Sequence, residues 1–264
     1  MSLSHLFVAD VDGTLLTDTG QVLPEDKEAI RRAQEAGVGV TLASGRLPER
    51  LLPVADRLNL ILPAIAADGA LTICTVTGEV LRAHNLEDGV LDRTVPWLQE
   101  QNLGVFLLAT DGIYAHKADA RRFGFSGAWG TLRPLEEASS ALQLIALGDR
   151  AAVRQARDGM DWADLDASAF QVGTSPWWAL RVRPAGTDKA HAVAALASEL
   201  HIPRTHVATI GDWYNDVGML GWSGSSFAMS TAPQEVKNRA GCVLDVPAGR
   251  GGGVAAALRR LSWA

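Results

Sequence analysis

Three short, largely apolar runs in this chain end abruptly in a polar residue. Leu6-Phe7-Val8-Ala9 runs into Asp10, Val38-Gly39-Val40-Thr41-Leu42-Ala43 into Ser44, and Val207-Ala208-Thr209-Ile210-Gly211 into Asp212. None shows the strict alternation of a strand with one face in water. Such runs are buried on both faces, as in a parallel sheet covered by helices. Helical segments separate them. From Pro24, the proline suits the first turn, Glu25 and Asp26 suit its positive end, and Gly37 suits the cap beyond its last turn. The segment from Leu47 to Leu58 predicts a second helix, bent or begun near Pro53, and Ile61 to Ala70 predicts a third strand. This alternation specifies an α/β fold with a parallel sheet.

The rhythm breaks after Ala70. LTICTVTGEVLRA reads as a hairpin turning at Thr77-Gly78. A helix is expected within NLEDGVLDRTVPWLQEQNL, two strands joined at Asp111-Gly112, and a helix from Arg150, with further segments ALQLIALGD, ASAFQVGTS and WWALRVRP. These predict a largely antiparallel sheet with helices on one face. The first rhythm returns from Thr187 and continues to the closing helix GGGVAAALRRL. The expected architecture is therefore a Rossmann-like parallel-sheet core in two pieces, residues 1–81 and 185–264. An inserted α+β domain, residues 82–184, lies between them.

Composition excludes some functions. A net charge of −6 over 264 residues argues against a nucleic-acid partner, which calls for a basic face. No apolar run reaches the roughly 18 residues of a membrane helix. The N-terminus lacks a basic stretch before a long apolar one, so no signal peptide is expected. Cys74 and Cys242 belong to no CxxC pair and read as two buried free thiols, consistent with a cytoplasmic chain, a monomer or homodimer.

Open parallel sheets bind ligands beyond the C-terminal ends of their strands. Here those ends supply Asp10-Val11-Asp12-Gly13, then Ser44-Gly45-Arg46, and then Asp212 with Asn215 and Asp216, while Lys189 opens the helix after the insertion. Clustered carboxylates repel, and a hard divalent cation such as Mg²⁺ relieves the repulsion with oxygen ligands. Asp10 can act as a carboxylate nucleophile, and Asp12 as general acid and then general base. Gly13 allows a close backbone turn around an oxyanion. Ser44 and Lys189 can hold phosphoryl oxygens and neutralise developing charge. Arg46 is a further candidate for phosphate binding. Gly249-Arg250-Gly251-Gly252-Gly253 could cradle a phosphate before a helix, but without the P-loop Lys and Ser/Thr it reads as a flexible loop.

ADVDGTLL, LASGR, GTDKAHAV and GDWYNDVGML resemble the four ordered motifs of the haloacid dehalogenase superfamily. An insertion between the second and third motifs, with AADGA and FAMSTAPQEVKNRA, resembles its Cof-type phosphatases, subfamily IIB. The resemblance implies a Mg²⁺-dependent phosphatase that hydrolyses small phosphorylated metabolites, chiefly sugar phosphates, through an aspartyl-phosphate on Asp10. It implies that Mg²⁺ is held by the Asp10 carboxylate, the Asp12 carbonyl and Asp212, with Asp216 in support. Ser44, Gly45, Asn215 and Lys189 would meet the phosphoryl group, and the insertion would form a cap. Arg183 and Trp178, near its exit, are the cap residues expected to contact substrate. The chain departs from the family pattern at Asp68, where Asn is usual, and at Trp213 and Tyr214 within GDxxND. A phosphomutase, or a metabolite-binding protein with a vestigial site, are the alternative readings.

Overall fold

The computed structural model describes residues 3–125, 130–173 and 175–263. The described residues form two compact units. One comprises residues up to Gly45, Leu51–Leu81 and Asp188 onward; the other comprises Arg46–Arg50 and Arg82–Thr187.

The first unit begins with β1 (His5–Ala9), α1 (Pro24–Glu35) and β2 (Val38–Leu42). β1 and β2 pair in parallel, Leu6 opposite Gly39 and Ala9 opposite Leu42. Pro24 stands at the start of α1, and Gly37 takes φ of 81° just past its end. α2 (Pro48–Arg57) begins at Pro48 and continues through Pro53. The helix therefore starts at Pro48 and not at Pro53, which stands inside it. β3 (Ala64–Ala66) touches β2 through a single parallel bridge, Ala43 to Ile65. Its fuller pairing is antiparallel, to β4 (Leu71–Ile73), which β5 (Val80–Ala83) extends. The third strand thus belongs mainly to the hairpin sheet, because a tight turn returns the chain at once beside it. Cys74 and Cys242 are half-buried rather than buried, and neither forms a disulfide.

The inserted unit contains α3 (Val90–Glu100), β6 (Gly104–Ala109), β7 (Gly112–Ala115), α4 (Lys117–Arg122), β8 (Leu132–Pro134), β9 (Gln143–Gly148), α5 (Arg150–Asp158), β10 (Leu165–Gln171) and β11 (Trp178–Pro184). Its sheet runs β10-β11-β9-β6-β7-β8 and is antiparallel except where β8 joins β7. The short α4 and β8 carry no periodic pattern long enough to be read from sequence. Leu98, Val105, Leu107, Leu144, Val153 and Leu180 form its buried core.

The chain then returns to the first unit with α6 (Lys189–Glu199), β12 (Val207–Gly211), α7 (Val217–Trp222), β13 (Ser225–Ala228), α8 (Gln234–Arg239), β14 (Cys242–Val243) and α9 (Gly253–Arg260). Its parallel sheet has the order β14-β13-β12-β1-β2. β1 therefore lies between β12 and β2, which brings the ends of the first and third apolar runs side by side. Leu6, Val8, Ile65, Val193, Leu196 and Met219 pack between this sheet and α6 and α7. No helix among the described residues is long and apolar enough to cross a membrane.

Candidate active site

Adjacent parallel strands in register end at one level. The Asp10 N–H donates to the Ile210 carbonyl at 3.0 Å, so the residues following β1 and β12 emerge together. From these ends Asp10, Asp212 and Asp216 converge, all buried, each with an oxygen within 4.8 Å of the others. Lys189, the first residue of α6, enters the same cluster with no exposed surface. Its Nζ donates to Asp10 Oδ1 at 2.6 Å and to Asp216 Oδ1 at 2.7 Å. The other Asp216 oxygen accepts the N–H groups of Asp212 and Trp213, both at 3.0 Å. Thr14, fully buried, donates its hydroxyl to Asp212 Oδ1 at 2.9 Å. Gly13 has φ of 84°, and a Cβ there would lie 2.3 Å from Asp212 Oδ2. The turn after β1 therefore requires glycine for both its backbone and its space.

One ammonium serves several carboxylates, and their protonation reflects that imbalance. Burial by itself would lower the Lys189 pKa, but the charges of Asp10, Asp216 and Asp68 outweigh it and keep the ammonium protonated. Burial raises the Asp10 carboxyl pKa above its ordinary value. The charge on Asp216 adds to that rise, and Lys189 only partly offsets it. Asp212 is pushed up to about 6, first by burial and then by Asp216, with the Thr14 hydroxyl opposing. The cluster holds more negative charge than its own lysine balances. Its donors are all oxygen, without thiolate or imidazole, a set that suits a hard divalent cation.

The other residues singled out by sequence are placed as follows. Asp12 is exposed and bridges to Leu16, outside the buried cluster. Ser44 is buried just after β2; its N–H donates to the Ile65 carbonyl at 2.9 Å. Gly45 faces Asp68, whose Oδ1 would be 3.1 Å from a Cβ at that position. Arg46 groups with the inserted unit, where its Nη1 donates to the Arg50 carbonyl at 3.3 Å. Asn215 Nδ2 donates to Asp68 Oδ1 at 2.8 Å, while its own Oδ1 is buried without a partner among the described residues. Arg183 donates from Nε to Asp166 Oδ2 at 2.8 Å, and Trp178 packs on the inserted unit's core with the Arg150 guanidinium 4.9 Å from its ring centre. Both contacts lie within the inserted unit.

The glycine-rich segment before α9 is hydrogen-bonded at several points. Two backbone donors at the start of α9 are taken by the buried Asp26 carboxylate, which accepts from Gly252 N at 2.7 Å and Ala255 N at 2.8 Å. Gly249 N–H donates to the Gly13 carbonyl at 2.8 Å, so this segment buttresses the turn after Asp12. Sequence reasoning missed Thr14 and Asp26 as site-supporting residues. Thr14 stood two places after Asp12 with its hydroxyl unassigned. Asp26 resembled an ordinary first-turn acid, and its true role needs a partner more than 200 residues away.

Three buried carboxylates beyond the ends of parallel strands, with the lysine that opens α6 among them, make an acidic site suited to a hard cation and a charged ligand on a Rossmann-like core. Residues 7–258 match the family model of the haloacid dehalogenase-like hydrolases, and the chain belongs to that family. A phosphoglycolate phosphatase of Pyrobaculum aerophilum is 32% identical over 250 residues, covering 93% of this chain and 91% of the relative. A pyridoxal phosphate phosphatase of Escherichia coli is 24% identical over 254 residues, covering 91% and 93%. Among solved structures, a haloacid dehalogenase-like hydrolase from Bacteroides thetaiotaomicron superposes with a TM-score of 0.82 at 23% identity, covering 98% and 99%. The subclass IIB sugar phosphatase BT4131 has the same fold, with a TM-score of 0.80 at 19% identity and coverage of 99% and 100%. The chain is accordingly a phosphoric monoester hydrolase of this family.

Proposed function

We propose that this chain is a Mg²⁺-dependent phosphatase of small phosphorylated metabolites, sugar phosphates among them, working through an aspartyl-phosphate on Asp10. The observation that carries the reading is the buried cluster of Asp10, Asp212, Asp216 and Lys189 at the strand ends. Phosphatase activity in the relatives toward phosphoglycolate and pyridoxal phosphate supports a small-metabolite class.

Lys189 pins one oxygen of Asp10, which orients the carboxylate for in-line attack on phosphorus. As the Asp10–phosphorus bond forms, the bond to the leaving oxygen breaks, and Asp12 donates the proton that oxygen takes up. Asp12, now ionised, removes a proton from water, which attacks the aspartyl-phosphate and frees Asp10 and inorganic phosphate. The exposure of Asp12 suits a group that must meet solvent water. Ser44, the backbone at Gly13 and Gly45, and Lys189 hold the phosphoryl oxygens, with Arg46 a further candidate.

Asp10, Asp212 and the Asp12 carbonyl would hold Mg²⁺, which when bound neutralises phosphoryl charge. Asp216 is read as a support for the other groups, since its two oxygens already hold Lys189 and the turn carrying Asp212. The inserted unit, residues 82–184, is assigned the role of a cap that discriminates among leaving groups, because the core motifs recognise only the shared phosphoryl group.

The test is phosphate release across a broad panel of phosphorylated metabolites, with Mg²⁺ and after exhaustive chelation, for the wild type and for Asp10→Asn. Turnover should require Mg²⁺ and fall by several orders of magnitude in the variant. Ordinary turnover by a well-folded Asp10→Asn protein would refute the nucleophile, and full activity without metal would refute the cation.

A further inference from the structure

The turn that follows β3 touches the loops of the acidic cluster from outside the four motifs. Ala67, Asp68 and Gly69 have φ of 48°, 54° and 102°, so two residues with side chains occupy the left-handed region. Such backbone persists only where its surroundings over-determine it. Here they do. The Asp68 N–H donates to the Ser44 carbonyl at 3.0 Å. The Asp68 carboxylate stands over Gly45, and a Cβ at Gly69 would lie 2.2 Å from the carbonyl oxygen of Asp188, one residue before Lys189. Asp68 Oδ1 then accepts from Asn215 Nδ2 at 2.8 Å. One turn is thus packed against the loop of Ser44, the start of α6 and the loop after β12.

The acceptor oxygen of residue 68 matters to the last contact. An ionised carboxylate only accepts hydrogen bonds, so it dictates which end of the Asn215 amide faces it. Nδ2 turns toward Asp68 and Oδ1 away, and that Oδ1 is buried with no partner among the described residues to fix it otherwise. An asparagine at position 68 would still offer an acceptor oxygen to Nδ2, whereas glycine offers none. We propose that Asp68 is a positioning residue: it fixes the Asn215 amide, and with it the phosphate-facing geometry of the loop after β12. The proposal rests on the phosphatase reading above, which makes Asn215 part of the phosphoryl site.

A double-mutant cycle tests it, using Asp68→Gly, Asn215→Ala and the double variant, with Asp68→Asn as the conservative control. Glycine at 68 keeps the left-handed backbone natural, so a loss there reports the missing carboxylate and not a strained turn. Asparagine keeps an acceptor oxygen and tolerates the same φ. Two readouts are taken with Mg²⁺ present: kcat and KM on the fastest substrate of the wild type, and the affinity for inorganic phosphate by calorimetry. Each single variant should lose about tenfold or more in kcat/KM and bind phosphate more weakly. The double variant should be no worse than the poorer single within about threefold, since both substitutions remove one interaction. Asp68→Asn should return to within about threefold of wild type.

Losses that multiply in the double variant, wild-type values for Asp68→Gly, or an Asp68→Asn protein as impaired as Asp68→Gly would each overturn the proposal. A wild type that binds phosphate but hydrolyses no ester would refute the phosphatase reading alone, and the binding cycle would still decide the role of Asp68. A wild type that does neither overturns both.

Discussion

Replacing Lys189 with methionine isolates the electrostatics of the cluster. The ammonium has no exposed surface and stands 2.6 Å from Asp10 and 2.7 Å from Asp216, themselves buried. Methionine keeps much of the volume and removes the charge. Breaking a buried ion pair from one side costs about 3–5 kcal/mol, because the partner charge stays buried without compensation. For a chain of this size, each kcal/mol shifts the melting temperature by about 2–4 °C, so the expected fall is of order 10 °C. Its pH dependence has a definite sign. Burial and the charge of Asp216 hold the Asp10 pKa above its unfolded value, and removing Lys189, which opposes that rise, lifts it further. Folding then takes up protons, and stability is lost as pH rises through the folded value. The deficit relative to wild type should therefore be largest above neutrality and shrink toward pH 5. Mg²⁺ should recover part of it by restoring positive charge. Thermal unfolding followed by circular dichroism across that range, with and without Mg²⁺, is the assay. A deficit under about 2 °C, or one that grows on acidification, would show that Lys189 does not neutralise buried carboxylates.

Further outcomes follow from other contacts. Asp12→Asn should slow turnover by about 10² to 10⁴, with the smallest loss on aryl phosphates, whose leaving groups need little protonation; equal losses on aryl and alkyl esters would remove Asp12 from proton transfer. Asp26→Ala should lower stability by about 1–2 kcal/mol, because Gly252 and Ala255 lose their acceptor at the start of α9. Denaturant unfolding measures it, with Asp26→Asn expected to be milder. The Cys74 thiol pKa is lowered by hydrogen bonds from the Thr77 side chain and from the backbone of Thr77 and Val76. Near neutral pH Cys74 should be alkylated faster than Cys242, and Thr77→Ala should slow it; mass-resolved labelling with iodoacetamide would show no such difference if the hydrogen bonds are immaterial.

The sequence by itself determined the strands of the five-stranded parallel sheet, the acids at their ends and the interruption of the α/β rhythm. Each is a local property: Leu6 to Ala9 is apolar without alternation, Asp10 follows directly, and Gly78 and Gly112 mark turns that their own conformation requires. The motif residues were legible for the same reason, since their types and order are written in the chain. Which groups meet was decided by the tertiary structure. Strand order places β1 beside β12, and only that neighbourhood joins Asp10 to Asp212 across about 200 residues. Lys189 could be read as a phosphate ligand, but its simultaneous hold on Asp10 and Asp216 arises where α6 meets those strand ends. Asp68 could be read only as an odd residue in its motif; the folded turn brings it to Asn215. Likewise the pairing of Arg183 with Asp166 exists only because β10 and β11 lie side by side. Periodicity and turn chemistry act between neighbours in sequence. Charge pairing acts through space, so its partners are set only once the sheet order is.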